Sequence, residues 1–248
     1  MWHTIVTQPT KERKALGSLP MGVRVSVVIP ARDEAATVAG VVRAAVEAAD
    51  EVVVVNDGST DDTAGAARAA GARVVSTPPQ GKGRAMRAGL AASSGDLVVF
   101  ADADVTSFDS RFVTGLVEPL ARDEIVFVKG YYHRPGEGGR VNELVARPML
   151  RLLFPELASI RQPLGGEYAG RRSVLEALAF EPGYGVDVGL LIDVASRHGA
   201  AAIAQADLGV RVHRNRPLAS LAPTAQEVME AMLDRAGVLT PLSQRRLA

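Results

Sequence analysis

The sequence contains no cysteine. That excludes disulfides, thiolate catalysis and thiolate metal sites, and it is compatible with a reducing cytoplasm. Aromatic residues are only 4% of the 248 positions, so a core must be built mainly from Ala, Val and Leu. No apolar run reaches the roughly 18 residues of a membrane span. Net charge is also missing. Lys plus Arg and Asp plus Glu number 28 each, which removes the electrostatic case for nucleic acid or an anionic membrane as partner. There is no Gly-x-Gly-x-x-Gly fingerprint, and Gly81-Lys82-Gly83-Arg84 is no Walker A, because Gly83 stands where Ser or Thr is required. Met1–Pro20 is polar and basic and lacks the apolar centre of a secretory signal. Residues 1–22 are read as a flexible lead-in.

Apolar residues make up 47% of the chain, enough for a sizeable core. Val23–Ile29, Glu51–Val55, Arg73–Ser76, Leu97–Ala101 and Ile125–Tyr132 read as strands. Continuous β-branched runs of this kind suit a sheet buried on both faces. Between them lie helical patterns: one from Val38 to Val46 after a capping Thr37, an alanine-rich one entered at Ser59–Asp62 and ended by Gly71, one at about Arg84–Ser93, and Phe112–Leu120. Alternating strands and helices imply an α/β, Rossmann-like, mostly parallel sheet with helices on both faces. Beyond His133 the pattern changes. Val141–Phe154 reads as a helix limited by Pro148, Gln162–Tyr168 as a loop, and Ser173–Ala179, Val186–His198 and Ala219–Ala236 as helices. Ala201–Gln205 and Gly209–His213 read as two strands. Residues 23–132 therefore form a nucleotide-binding half, and 133–248 an acceptor-side extension of the same domain.

Ligands of parallel sheets bind beyond the C-terminal strand ends, where Pro30, Asp57 and Asp102 fall. Asp102-Ala103-Asp104 places two carboxylates one residue apart just past a buried strand, suited to a hard divalent cation shared with a diphosphate. Asp33 or Glu34 can accept hydrogen bonds from a nucleobase or ribose, or can simply complement a helix dipole. Asp57 can do the same, or belong only to a turn. Lys82 between two glycines can reach a diphosphate as a point charge, against the plainer reading of a solvated loop lysine. Gly139-Arg140-Val141-Asn142 opens a helix whose free N–H groups and Arg suit a phosphate or carboxylate. Tyr184 and Asp187 stand at a further helix start. His213 is a candidate third metal ligand, with Asn215 and Arg216 beside it.

These stretches, with Phe127–Tyr132, Gln162–Tyr168 and Gly183–Val186, together resemble the retaining GT-A glycosyltransferases that include glucosyl-3-phosphoglycerate synthase. The likeness runs over roughly residues 24–216. It implies a GT-A fold, a UDP-glucose donor, a 3-phosphoglycerate acceptor, a Mg2+ or Mn2+ cofactor, an α-linked product, a cytoplasmic location and a homodimer. By the same resemblance Pro30, Ala31, Asp33, Glu34, Asp57, Asp102 and Ala103 bind the donor, with Lys82 on its diphosphate. Asp104 and His213 hold the metal. Gly139, Arg140, Val141, Asn142, Asn215 and Arg216 bind the acceptor, and Tyr184 and Asp187 line the sugar and acceptor pocket. Asp104, Lys82, Asp187 and Tyr184 are thereby the catalytic candidates. The chain departs from the family pattern at Arg32, usually apolar, at Ala103, usually Ser, at Asn142, commonly Thr, and at Asp187, where Glu is expected. A GDP-mannose enzyme, another acceptor, a nucleotidyltransferase and a catalytically silent nucleotide-sugar sensor are the alternatives.

Overall fold

The computed structural model describes residues 19–133, 139–211 and 218–238. Seven strands form one sheet in the order β3-β2-β1-β4-β6-β5-β7. They are β1 (Val25–Ala31), β2 (Glu51–Asp57), β3 (Arg73–Thr77), β4 (Leu97–Phe100), β5 (Phe127–His133), β6 (Tyr168–Arg171) and β7 (Ile203–Val210). The pairs β1–β2, β1–β4, β2–β3 and β5–β7 are parallel. β6 alone runs antiparallel, to both β4 and β5.

The helices are α1 (Val38–Ala48), α2 (Thr63–Ala69), α3 (Lys82–Ala92), α4 (Ser110–Val117), α5 (Arg147–Leu153), α6 (Arg172–Glu176), α7 (Val186–His198) and α8 (Ala222–Arg235). Two apolar layers sandwich the sheet. Val25, Val27 and Ile29 pack with residues of α1 and α4 on one face. Val28, Val98 and Phe100 pack with residues of α3, α5, α7 and α8 on the other. Val25, Val27, Val28 and Ile29 are all fully buried, which is why this strand is apolar on both faces; Ser26, also buried, donates its hydroxyl to Glu51 at 2.8 Å. α8 is tied to α7 by Arg235, whose guanidinium meets both oxygens of Asp193 at 2.8 Å and Glu181 at 2.9 Å.

Several expectations need correction. Tyr168–Arg171 is a strand, and the two strands expected over 201–213 are one, β7. Pro148 does not end its helix. It lies at the start of α5, directly behind a π-helical turn, Asn142–Ala146, in which the Arg147 N–H reaches back to the Asn142 carbonyl. A wider turn shifts the hydrogen-bond ladder, so that a residue lacking an N–H is tolerated there. Neither Thr37 nor Asp62 makes a side-chain cap to its helix. Thr37 Oγ1 instead donates to the Glu34 carboxylate at 2.8 Å. Finally, α3 begins at Lys82 rather than Arg84, so Lys82 belongs to a helix and not to a free loop.

The chain leaves β1 for β2 and β3 on one side, then returns to place β4 on the other. The crevice at that reversal is where such sheets bind ligands. Pro30-Ala31, Asp57 and Asp102 lie at the C-terminal ends of the three strands that border it.

Candidate active site

A cleft of about 380 Å³ opens at the strand reversal. Of the residues singled out from sequence, Pro30, Ala31, Glu34, Asp57, Lys82, Asp102, Ala103, Asp104, Tyr184 and Asp187 all line it. They come from five separate segments of the chain, residues 30–34, 57, 82, 102–104 and 184–187, so only the fold collects them.

Lys82 is the hub. Entering α3, its ammonium lies 3.0 Å from Asp102 Oδ1 and 2.9 Å from Asp187 Oδ2. Burial opposes the charge, but the two carboxylates more than offset it and raise Lys82 above its ordinary value. Burial likewise works against ionised Asp102, and the Lys82 ammonium and Arg211 guanidinium override it, holding that carboxyl below the usual carboxylate range. The approach of α3 to the 181–183 segment is made possible by Gly83. A Cβ there would overlap the Glu181 carbonyl oxygen, and the Gly83 N–H donates to the Pro182 carbonyl at 3.0 Å.

Arg211, just past β7, is a residue that sequence reasoning missed. One nitrogen, Nη2, spans Asp102 and Asp104 at 3.1 Å each, while Nη1 donates to Glu167 Oε2 at 2.9 Å and to the Tyr132 hydroxyl at 2.8 Å. Its side chain is only 5% exposed. The available signal was a lone arginine between Val210 and Val212 in a strand-like run. Glu167 is wholly buried, with Oε1 lacking a partner, and burial pushes its carboxyl up to about 7 despite Arg211. Glu227 of α8 also lines the cleft and accepts the Tyr184 N–H at 2.6 Å; nothing in its local sequence marked it.

Other candidates take different positions. Asp33 does not line the cleft. It adopts a left-handed φ of 55°, and its Oδ1 accepts the Thr60 N–H at 2.7 Å and hydroxyl at 3.0 Å, which lowers its pKa. With Asp33 N–H to Ser59 Oγ at 3.0 Å and Glu34 N–H to Thr63 Oγ1 at 2.8 Å, it fastens the turn after β1 to the turn after β2. Asp57 faces the cleft, yet each oxygen already accepts a backbone N–H, from Gln80 at 2.8 Å and Gly81 at 2.9 Å. Its carboxylate thus shapes the entry to Lys82. Gly139, Arg140, Val141 and Asn142 do not line this cleft. Asn142 reaches toward it indirectly, its Oδ1 accepting the N–H of cleft residue Leu164 at 3.4 Å. His213, Asn215 and Arg216 lie outside the described residues.

Among the described residues, no three carboxylate or imidazole side chains form a ready metal cage. The donor chemistry still suits a hard cation. Asp104 presents a carboxylate to the cleft with 42% of its side chain exposed, its Oδ1 in contact with Arg211. Asp102, by contrast, is already ion-paired on both oxygens. A Cβ on Gly166 would overlap the Asp102 carboxylate, so this loop is pressed against the cleft floor.

The glycosyl transferase family 2 model matches residues 26–180. Glucosyl-3-phosphoglycerate synthase of Mycolicibacterium smegmatis is 47% identical over 239 residues, covering 88% of this chain and 79% of that one. The synthase of Mycobacterium tuberculosis is 47% identical over 262 residues, covering 96% and 80%. A crystal structure of the M. tuberculosis synthase with Mn2+, UDP-glucose and phosphoglyceric acid superposes with a TM-score of 0.84 at 44% identity, covering 97% of this chain and 88% of that one. Another, with Mg2+ and UDP, gives 0.86 at 44% identity, covering 97% and 87%.

Proposed function

This chain belongs to glycosyl transferase family 2, and we propose that it is a metal-dependent hexosyltransferase moving glucose from UDP-glucose to 3-phosphoglycerate. The carrying observation is that Pro30, Ala31, Asp57, Lys82, Asp102, Asp104 and Asp187 line one cleft in a chain 47% identical to glucosyl-3-phosphoglycerate synthases. Structures of such a synthase hold Mn2+ or Mg2+ with UDP, and UDP-glucose with phosphoglyceric acid.

In this reading the turn from Pro30 to Glu34 receives the uridine, with Asp33 and Asp57 supporting its two walls. Lys82 meets the diphosphate, exchanging part of its contact with Asp102 and Asp187 for phosphate oxygens. Asp104 and His213 would hold Mg2+ or Mn2+, which offsets diphosphate charge when bound. Asp102-Ala103-Asp104 thereby acts as the DxD motif. Lys82 and Arg211 stabilise charge developing on the departing UDP. Gly139, Arg140, Val141, Asn142, Asn215 and Arg216 orient the acceptor, and Tyr184 and Asp187 face the transferred sugar. Asp102 and Asp187, the carboxylates beside Lys82, are both paired to it rather than free to act as a nucleophile. Retention then follows same-face attack. The acceptor hydroxyl oxygen bonds to the anomeric carbon, the bond from that carbon to the phosphate oxygen breaks, and the departing phosphate takes the proton. Residues 23–132 serve the donor and 133–248 the acceptor. Both substrates are charged metabolites that membranes do not pass, which supports a cytoplasmic location.

The test is UDP release from UDP-glucose with Mg2+, with and without 3-phosphoglycerate. Acceptor-dependent release is expected. Release only from GDP-mannose or with a different acceptor would discard the specificity, and binding without any release would leave a nucleotide-sugar sensor.

A further inference from the structure

Asp187, in the first turn of α7, is held from two sides. Lys82 Nζ takes Oδ2 at 2.9 Å, and the Tyr168 hydroxyl donates to Oδ1 at 3.2 Å. The two donors come from different elements, α3 and β6, so together they fix both the position and the plane of the carboxylate. Tyr168 itself is immobilised. It is fully buried, with its ring packed at 5.4 Å from the centroid of Phe100 and 5.3 Å from that of Phe127. A buried phenol needs a hydrogen-bond partner. Among the described residues, its hydroxyl has besides Asp187 only a weak acceptor, Met86 Sδ at 3.7 Å.

Behind the ring lies Lys129, opposite Tyr168 in the β5–β6 pairing. Its ammonium is 4.2 Å from the ring centroid and donates to the Gly165 carbonyl at 2.6 Å. Lys129 is fully buried, and burial drags it down to about 8, with Asp187 pulling the other way. A methionine would fill similar space without this desolvation cost. The ammonium instead braces two things at once: the face of Tyr168, and the loop that carries Leu164 into the cleft.

Resting on the function proposed above, we infer that Tyr168, braced by Lys129, is a positioning residue that orients Asp187 toward the transferred sugar. It touches no substrate and acts only through that carboxylate. Burial also keeps the phenol well above its ordinary pKa, so it remains a donor throughout the working range.

Tyr168→Phe keeps the ring and its packing and removes only the hydroxyl. With Mg2+ present, the variant is expected to lose roughly tenfold in kcat/KM for UDP-glucose, because hydrogen bonds to charged groups are the strong ones. Its calorimetric Kd for UDP, which has no sugar, should stay unchanged. In an Asp187→Ala background the Tyr168→Phe change should cost nothing further. Unchanged kcat/KM in Tyr168→Phe, alongside a loss in Asp187→Ala, would overturn this inference alone. An equal loss of UDP affinity would overturn it by revealing general damage, as would a full additional loss in the double variant. An Asp187→Ala enzyme with wild-type kcat/KM would overturn the sugar-side reading of Asp187 and this inference with it.

Discussion

Replacing Lys82 with Met tests whether the cleft floor is held together by charge. The substitution keeps the unbranched apolar stem and deletes the ammonium. Among the described residues, Asp187 would then keep the Tyr168 hydroxyl, and Asp102 would keep Arg211. The three side chains are 14%, 5% and 23% exposed for Lys82, Asp187 and Asp102, so solvent screening is limited. Breaking a buried pair by removing one partner costs roughly 3–5 kcal/mol. The cleft is open to water, so the lower end applies, about 3 kcal/mol. For a chain of this size that is a fall of roughly 6–12 °C in Tm. The pH dependence carries a sign. Asp102 is depressed in the fold, so its contribution is complete above the ordinary carboxylate range and is lost as pH falls through its folded value. Lys82 is raised, so its contribution is complete below its ordinary value and is lost only on further alkalinisation. The part of the gap between wild type and variant that Asp102 carries should therefore narrow below about pH 4. Urea unfolding followed by circular dichroism at pH 7 and pH 3.5 measures it. A loss under about 1 kcal/mol, or an equal gap at both pH values, would refute the reasoning.

Asp104→Ala is expected to abolish UDP release and to weaken Mn2+ binding in the presence of UDP, measured by electron paramagnetic resonance; wild-type Mn2+ affinity would remove Asp104 from the metal site. Gly83→Ala should lose activity and stability together, since a Cβ has no room against the Glu181 carbonyl, whereas Gly199→Ala, with nothing near its Cβ, should cost only the backbone strain of φ 82° and ψ 152°, roughly 1–3 kcal/mol in the same melts. Glu167 is raised in the fold to about 7, so its contribution is full below the ordinary glutamate value and is lost as pH rises through 7. Glu167→Gln should accordingly gain on wild type by up to about 3 kcal/mol between pH 5 and pH 8, and parallel stability profiles for the two proteins would contradict this.

Much of the sheet that borders the cleft is legible in the sequence. Val25–Ala31, Glu51–Asp57 and Leu97–Phe100 announce themselves because a parallel strand buried on both faces carries a near-continuous apolar run. The ligand end of each strand then follows from topology, and Pro30, Asp57 and Asp102 stand there. β6 was not legible. Tyr168–Arg171 is four residues long, too short for a period to show, and a preceding Gly-Gly disguised it as loop. Asp33 and Asp57 were identified as polar residues at the right place, but their acceptors are largely used on Thr60, Gln80 and Gly81. A carboxylate's partner is set by what folds next to it, and sequence spacing does not contain that.

The sequence by itself determined the alternation of strands and helices, the end of the sheet at which the cleft opens, and the presence there of carboxylates and a lysine, because hydrophobic period and local backbone chemistry are encoded within a few residues. Only the tertiary structure decided that Lys82 would bridge Asp102 and Asp187, 20 and 105 residues away in the chain, that Arg211 would close the acidic pair from the far strand, and that the ionisable side chains of Lys129 and Glu167 would be buried. Those outcomes depend on Coulomb interaction and desolvation across a few ångströms, and that proximity exists only once the sheet has brought β4, β6 and β7 to one side of the cleft.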